Sequence, residues 1–245
     1  MKGTGFIIFF LVIGILTLKA QEKISESEKS FSKIKVKKGT RDVTLTNDYN
    51  IRWKMRVNFP ETTEKRQHLI IALHWAGSGD TYKEFNDCLA LPGLEALNAI
   101  IVSPEDEGQL WSTQNNVDKI RSIVANAQKY WNVDSEKIAV TGYSNGGNGS
   151  WFFAQNYPKL FSAALPMASA YAINTKIEIP LYVIHGAKDE LFELARTEKW
   201  VMKTQEKGTD VTWVVNNTLS HFQGCAYITE LKKAAEWLKL RWKKK

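Results

Sequence analysis

Five apolar runs set the fold class of this chain: "HLIIALHW", "AIIVSPE", "KIAVTGYS", "SAALPMASA" and "PLYVIHGAKD". Each is closed by a short polar or small-residue break, and none alternates apolar with polar residues. Continuous apolar runs of strand length suit strands buried on both faces, and such strands belong to parallel sheets. Between the runs lie helical patterns. Val117, Ile120, Val124, Ala127 and Trp131 recur at steps of three and four and so share one face. "GNGSWFFAQNYP" reads as a short helix stopped at Pro158, and "LARTEKWVMKTQEKG" as one closed by Gly208. After a last strand, "VTWVVNN", a final amphipathic helix is marked by Tyr227, Ile228, Leu231, Ala234, Ala235 and Leu238. Strand and helix alternating from residue 68 onward predict an α/β fold with a mostly parallel, doubly wound sheet flanked by helices. Right-handed crossovers gather the loops at the strands' carboxyl ends along one edge, where such sheets keep their sites.

The chain before residue 68 is of another kind. "VTLTNDYNIRWKMRVNFP" alternates apolar and polar residues, as exposed antiparallel strands do, and ends at Pro60. Residues 21–39, polar from Gln21 to Ser32, read as a flexible leader. Ahead of them, Lys2 precedes an apolar run from Phe6 to Leu18 that is short for a membrane span. With Ala20 at the cleavage position, residues 1–20 read as a signal peptide, with an uncleaved anchor as the alternative. The expectation is a secreted or periplasmic protein with one catalytic domain over residues 40–245 and no stable membrane insertion once the signal is removed. Losing residues 1–20 deletes Lys2 and Lys19 and no acid, so the net charge falls from +7 to +5. Much of that excess sits in "FSKIKVKKG" and "KLRWKKK", terminal charge runs of the solvated type, and no module for reading nucleic acid accompanies them. No nucleic-acid partner is expected. Cys88 and Cys225 stand alone, without CxxC or paired Cys/His spacing, so no metal site is expected. In an exported chain they form one disulfide or remain two free thiols.

Gly142-Tyr143-Ser144-Asn145-Gly146 fits G-x-S-x-G between an apolar strand and a helix. A tight strand-to-helix turn strains its central residue and presses neighbouring backbone close, so positions two before and two after it must lack a Cβ. The turn lifts the Ser144 hydroxyl above the sheet and aims the first helical amides at whatever it attacks. The alternative is a glycine-rich turn whose serine only caps a helix. A serine nucleophile needs a base, and in this architecture acid and base follow it in that order. His68 begins a strand at the wrong edge, and His74 and His185 end strands before any suitable acid, His185 reading as packing beneath the acid loop. Asp189 in "VIHGAKDE" lies 45 residues after Ser144, and His221 in "LSHF" lies 32 residues further on. Glu190 and Glu193 are the alternative acids. For the oxyanion, the expected donors are the backbone N–H of Asn145 and that of Ala76, with Trp75 as runner-up.

Together, "LHWAGSG", "VTGYSNGG", "VIHGAKDE" and "LSHF", in that order, resemble the α/β-hydrolase superfamily over about residues 40–242. Within it the chain resembles secreted single-domain esterases of the feruloyl esterase and polyhydroxybutyrate depolymerase-like kind. It is also similar to the wider carboxylesterase, phospholipase and dienelactone hydrolase group. The resemblance implies a Ser-His-Asp esterase without metal or organic cofactor. One departure is Trp75, where these families commonly carry glycine after the histidine. The short link between "SAALPMASA" and "PLYVIHG" leaves no room for a large cap, so the expected site is open and suited to a bulky or polymeric ester. Trp75, Trp111 and Trp151 flank the loops at the catalytic edge and are the candidates for a sugar-stacking pocket; Trp131, Trp200 and Trp237 fit helical packing. The loop "PEDEGQLWSTQNN" is expected to shape that pocket. A Cys88–Cys225 bridge would brace the histidine loop. The competing readings are a serine peptidase or amidase of the same fold and a non-catalytic binding protein on the same scaffold.

Overall fold

The alternating N-terminal segment forms an antiparallel pair, β1 (Gly39–Thr46) and β2 (Arg52–Phe59), with Gly39 opposite Phe59 and Thr46 opposite Arg52. The apolar runs form β3 (Gln67–Leu73), β4 (Ile100–Pro104), β5 (Val133–Tyr143), β6 (Ala163–Met167) and β7 (Leu181–Lys188), and β8 (Val211–Ser220) follows. All belong to one eight-stranded sheet in the order β1-β2-β4-β3-β5-β6-β7-β8. The six strands from β3 on are parallel to one another, and β2 runs antiparallel to β4. This computed structural model describes residues 25–47, 51–61, 66–173 and 175–243. The expected signal peptide at 1–20 lies outside the described residues.

The sheet is buried on both faces, as its continuous apolar runs require. In β3, Leu69, Ile71 and Leu73 enter one core while Ile70 and Ala72 enter the other. The first core is closed by α4 (Gln114–Tyr130), α5 (Asn145–Asn156) and α6 (Leu194–Glu206), through residues such as Ile120, Ile123, Phe153 and Val201. The second is closed by α7 (Ile228–Lys243) and by an unbroken helical stretch: α2 (Thr81–Phe85), a π-turn over Asn86–Ala90, α3 (Leu91–Leu94) and a 3-10 turn over Glu95–Leu97. Among the described residues between β6 and β7 there is no helix or strand, and Ile173, Ile177 and Ile179 tuck into the first core.

The expected flexible leader at 21–39 is corrected at Glu26–Ser32, and its residues 21–24 lie outside the described residues. Residues Glu26–Ser32 form a short helix, α1, whose N-cap Ser25 accepts a hydrogen bond from the Glu28 N–H at 3.2 Å. Phe31, fully buried, fixes the helix to the domain, packing on Trp53 and on Trp131 at a ring separation of 5.4 Å. Burying one such ring contributes roughly 1.5–3 kcal/mol, enough to hold seven residues that would not stay helical alone.

Candidate active site

β5 ends at Tyr143 and α5 begins at Asn145, so a single residue, Ser144, makes the turn. Its φ of 55° and ψ of −116° lie where non-glycine residues are costly. The flanking glycines permit it. A Cβ on Gly142 would lie 2.2 Å from the carbonyl oxygen of Gly146, and one on Gly146 would lie 1.9 Å from that of Leu73. Any side chain at Gly146 would displace the end of β3. Asn145 opens α5, so its N–H has no intrahelical acceptor.

His221 follows β8, and Asp189 follows β7. The Ser144 hydroxyl donates to His221 Nε2 at 2.9 Å, and His221 Nδ1–H donates to Asp189 Oδ2, also at 2.9 Å. Because an ionised carboxylate only accepts, it fixes the tautomer that leaves Nε2 free to receive the serine proton. The other Asp189 oxygen accepts the backbone N–H groups of Leu191 and Phe192 at 3.0 and 2.7 Å. Burial pushes the Asp189 carboxyl up, but the His221 ring and the Phe192 N–H outweigh it and hold the group below the usual carboxylate value.

The other sequence-level acids do different things. The Glu190 carboxylate accepts the His221 backbone N–H at 2.9 Å, while exposed Glu193 caps the start of α6 without a side-chain hydrogen bond. The Tyr143 hydroxyl donates to the His221 carbonyl at 2.7 Å, so both main-chain groups of His221 are pinned. His185 lies beneath the acid turn, its Nε2–H donating to the Phe192 carbonyl at 2.7 Å. Burial lowers its pKa below the ordinary imidazole value. Cys88 and Cys225 are joined as a disulfide with a Cα separation of 5.3 Å, tying the π-turn after α2 to the chain just past His221.

On the other side of Ser144, His74 follows the last residue of β3 and is buried. Its Nδ1–H donates to the Trp75 carbonyl at 2.6 Å, and its Nε2 accepts the Asp106 backbone N–H at 3.2 Å. Both ring nitrogens are therefore committed to backbone, and burial depresses its pKa. The Asp106 carboxylate accepts the Gly108 N–H at 2.8 Å and reaches the Asn145 side-chain amide at 3.3 Å. Glu107 and Gly108 both take positive φ in this turn.

Two clefts open at Ser144. The first, about 590 Å³, is walled by Trp75, Ala76, Glu84, Tyr143, Leu191 and the His221–Ala226 segment. The second, about 350 Å³, runs past Ala76, Asp106, Gln109, Leu110, Asn145 and Asn148. Of the three tryptophans assigned to a pocket, only Trp75 lines one. Trp111 and Trp151 are each 1% exposed and belong to the first core. Trp111 turns inward because its indole N–H donates to the His74 carbonyl at 3.1 Å, which makes it a brace for the loop after β3. The loop after β4 does shape the second cleft, through Gly108, Gln109 and Leu110.

A parallel sheet with β2 reversed, a strained serine at the turn after β5, and acid and histidine turns after β7 and β8 together define an α/β-hydrolase fold. The chain belongs to the Dienelactone hydrolase family, whose profile matches residues 60–236. It is 26% identical to Protein usf of Aquifex pyrophilus over 129 residues, covering 49% of this chain and 56% of that protein. It is 28% identical to the probable acetylxylan esterase A of Aspergillus flavus over 132 residues, 49% of this chain and 42% of that protein. The chain thus spans about half the length of these relatives. Among solved structures, it overlays a ferulic acid esterase with a TM-score of 0.64 at 17% identity, over 82% of this chain and 97% of that one. No helix among the described residues is long and apolar enough to cross a membrane.

Proposed function

We propose that this protein is an exported serine esterase that cleaves carboxylic esters through an acyl-enzyme, with a carbohydrate-linked or polymeric ester as its substrate. The observation that carries this reading is the unbroken hydrogen-bonded line from Ser144 through His221 to Asp189, at 2.9 Å and 2.9 Å, at the floor of an open cleft. In this mechanism Ser144 Oγ attacks the acyl carbon as its proton passes to His221 Nε2. The carbon–oxygen bond to the alcohol then breaks, and His221 returns the proton to the departing oxygen. Water attacks the acyl-enzyme next, giving its proton to His221, and the carboxylic acid leaves as Ser144 recovers a proton. Asp189 holds the imidazole tautomer and stabilises the imidazolium.

The backbone N–H groups of Asn145 and Ala76 receive the oxyanion. A trans peptide points its C=O and N–H in opposite directions. With the Trp75 carbonyl held by His74, the Ala76 N–H of that same peptide is fixed the other way, which favours Ala76 over Trp75 as the second donor. The half-buried Trp75 indole in the first cleft gives a stacking face for a sugar ring, and one relative of this chain, the probable acetylxylan esterase A, is named for a sugar-linked ester. Export is supported by the apolar run from Phe6 to Leu18 and by the disulfide.

The test is labelling of the purified protein with a fluorophosphonate, read by peptide mass spectrometry. A single adduct on Ser144, missing from a Ser144→Ala control, is the expected result. A well-folded protein that takes no label would overturn the reading.

A further inference from the structure

Apart from His221, every charged side chain lining the two clefts among the described residues is acidic, Glu84 in the first and Asp106 in the second. This stands out in a chain with 33 Lys and Arg against 26 Asp and Glu. The two acids are not alike. Asp106 is 2% exposed and engaged with Gly108 and Asn145. Glu84 is exposed on α2, and its carboxylate has no hydrogen-bond or ion-pair partner among the described residues. A free carboxylate on a cleft wall acts on whatever enters that cleft.

Proton delivery tells which half of the ester that is. His221 must hand a proton to the departing oxygen, so the alcohol has to leave on the imidazole's side of Ser144. The first cleft contains His221, Phe222, Gln223 and Gly224; the second omits His221 and runs along Asn145 and Asn148 instead. We infer that the first cleft receives the alcohol and the second the acyl group, and that Glu84 makes the alcohol site select uncharged, polyhydroxylated or cationic alcohols over anionic ones. The inference rests on the esterase reading above. Its chemistry is that of one carboxylate. It accepts hydrogen bonds from hydroxyl groups, attracts cations, and repels a negative charge on the leaving group, beside an aromatic wall of Trp75 and the largely exposed Phe222.

The experiment compares two acetates with near-isosteric leaving groups that differ by one charge, those of 4-hydroxybenzamide and 4-hydroxybenzoate. The readout is the ratio of their kcat/KM values in the intact protein and in Glu84→Gln. The native ratio should favour the neutral ester, and Glu84→Gln should shrink it by about three- to tenfold, the size expected for one solvent-screened charge. The contribution should fade in 0.5 M salt, where the Debye length is about 4 Å against roughly 30 Å in 0.01 M buffer. A second pair places the charge on the acyl side, 4-nitrophenyl succinate against 4-nitrophenyl methyl succinate, and its ratio should not respond to Glu84→Gln. An unchanged leaving-group ratio overturns the role of Glu84. A shift in the acyl-side ratio alone overturns the assignment of the clefts. Turnover of no ester by a protein that does label at Ser144 overturns the inference through the alcohol it presumes, whereas no labelling removes the esterase reading beneath it.

Discussion

Two buried histidines flank Ser144, each beside an aspartate, and they are built for opposite tasks. His221 places one ring nitrogen on a carboxylate oxygen of Asp189 and the other on the Ser144 hydroxyl. His74 stands 3.5 Å from a carboxylate oxygen of Asp106 but spends both ring nitrogens on backbone, the Trp75 carbonyl and the Asp106 N–H. A histidine with one nitrogen on a carboxylate and one on a hydroxyl can move a proton. A histidine between a carbonyl and an amide can only hold two loops in register. What separates base from strut is the partner of the second nitrogen, not burial or the nearness of an acid.

That contrast can be broken most forcefully at the acids. Asp189→Asn should lower kcat on an activated acetate ester by about 10⁴-fold through the wrong imidazole tautomer. Asp106→Asn should cost less than about tenfold, because its bond to His74 comes from the main chain and survives the change. Equal losses in steady-state assays of the two variants would erase the distinction. Next in size, His74→Gln should reduce kcat by about 10- to 100-fold by loosening the peptide that carries an oxyanion donor, with little change in KM. Its kcat/KM profile should keep the acid limb of the native protein, since the titrating base is elsewhere. A shifted limb would mean that His74 takes part in proton transfer.

The smallest effect is on stability. Burial holds His68, His74 and His185 below the ordinary imidazole value of 6.5, so the unfolded chain binds more protons than the folded one just under that pH. Their contribution is complete above about 6.5 and fades as the pH falls through the depressed folded values. Asp189 is held below its ordinary 3.8, so its contribution is complete above that value and lost as acid is added beyond it. Thermal melts should therefore show Tm dropping first on acidification below about pH 6.5 and again below about pH 4. The double variant His74→Gln/His185→Gln should shrink the first drop to the part that His68 carries and leave the second.

Much of this was legible in the residues. Strands buried on both faces must be apolar throughout, so β3 to β7 announce themselves, and the elbow shows because only glycine tolerates the approach at Gly142 and Gly146. The order serine, acid, histidine left one histidine able to serve, and the structure brings Ser144, Asp189 and His221 together. What was not legible came from contacts between distant backbone groups. No spacing announces that Glu190 and Tyr143 grip the two main-chain groups of His221, or that Asp106 reaches His74 across 32 residues. Trp111 and Trp151 fall near the catalytic edge in sequence, yet each turns into the core, an orientation that nearness to that edge does not encode. The helix at Glu26–Ser32 did leave a trace: Ser25 followed by Glu28 is a capping pair. One buried phenylalanine among polar residues was too faint a period to draw notice.

The cross-link between Cys88 and Cys225 closes a ring of chain 137 residues around. Ser144, Asp189 and His221 all lie inside that ring. A single cut by a protease anywhere within it leaves one covalent molecule, with every chemical group of the site still tethered to the same two ends. In surroundings rich in proteases, such a chain can be nicked without being dismantled, and the break shows on a gel only after the bridge is reduced.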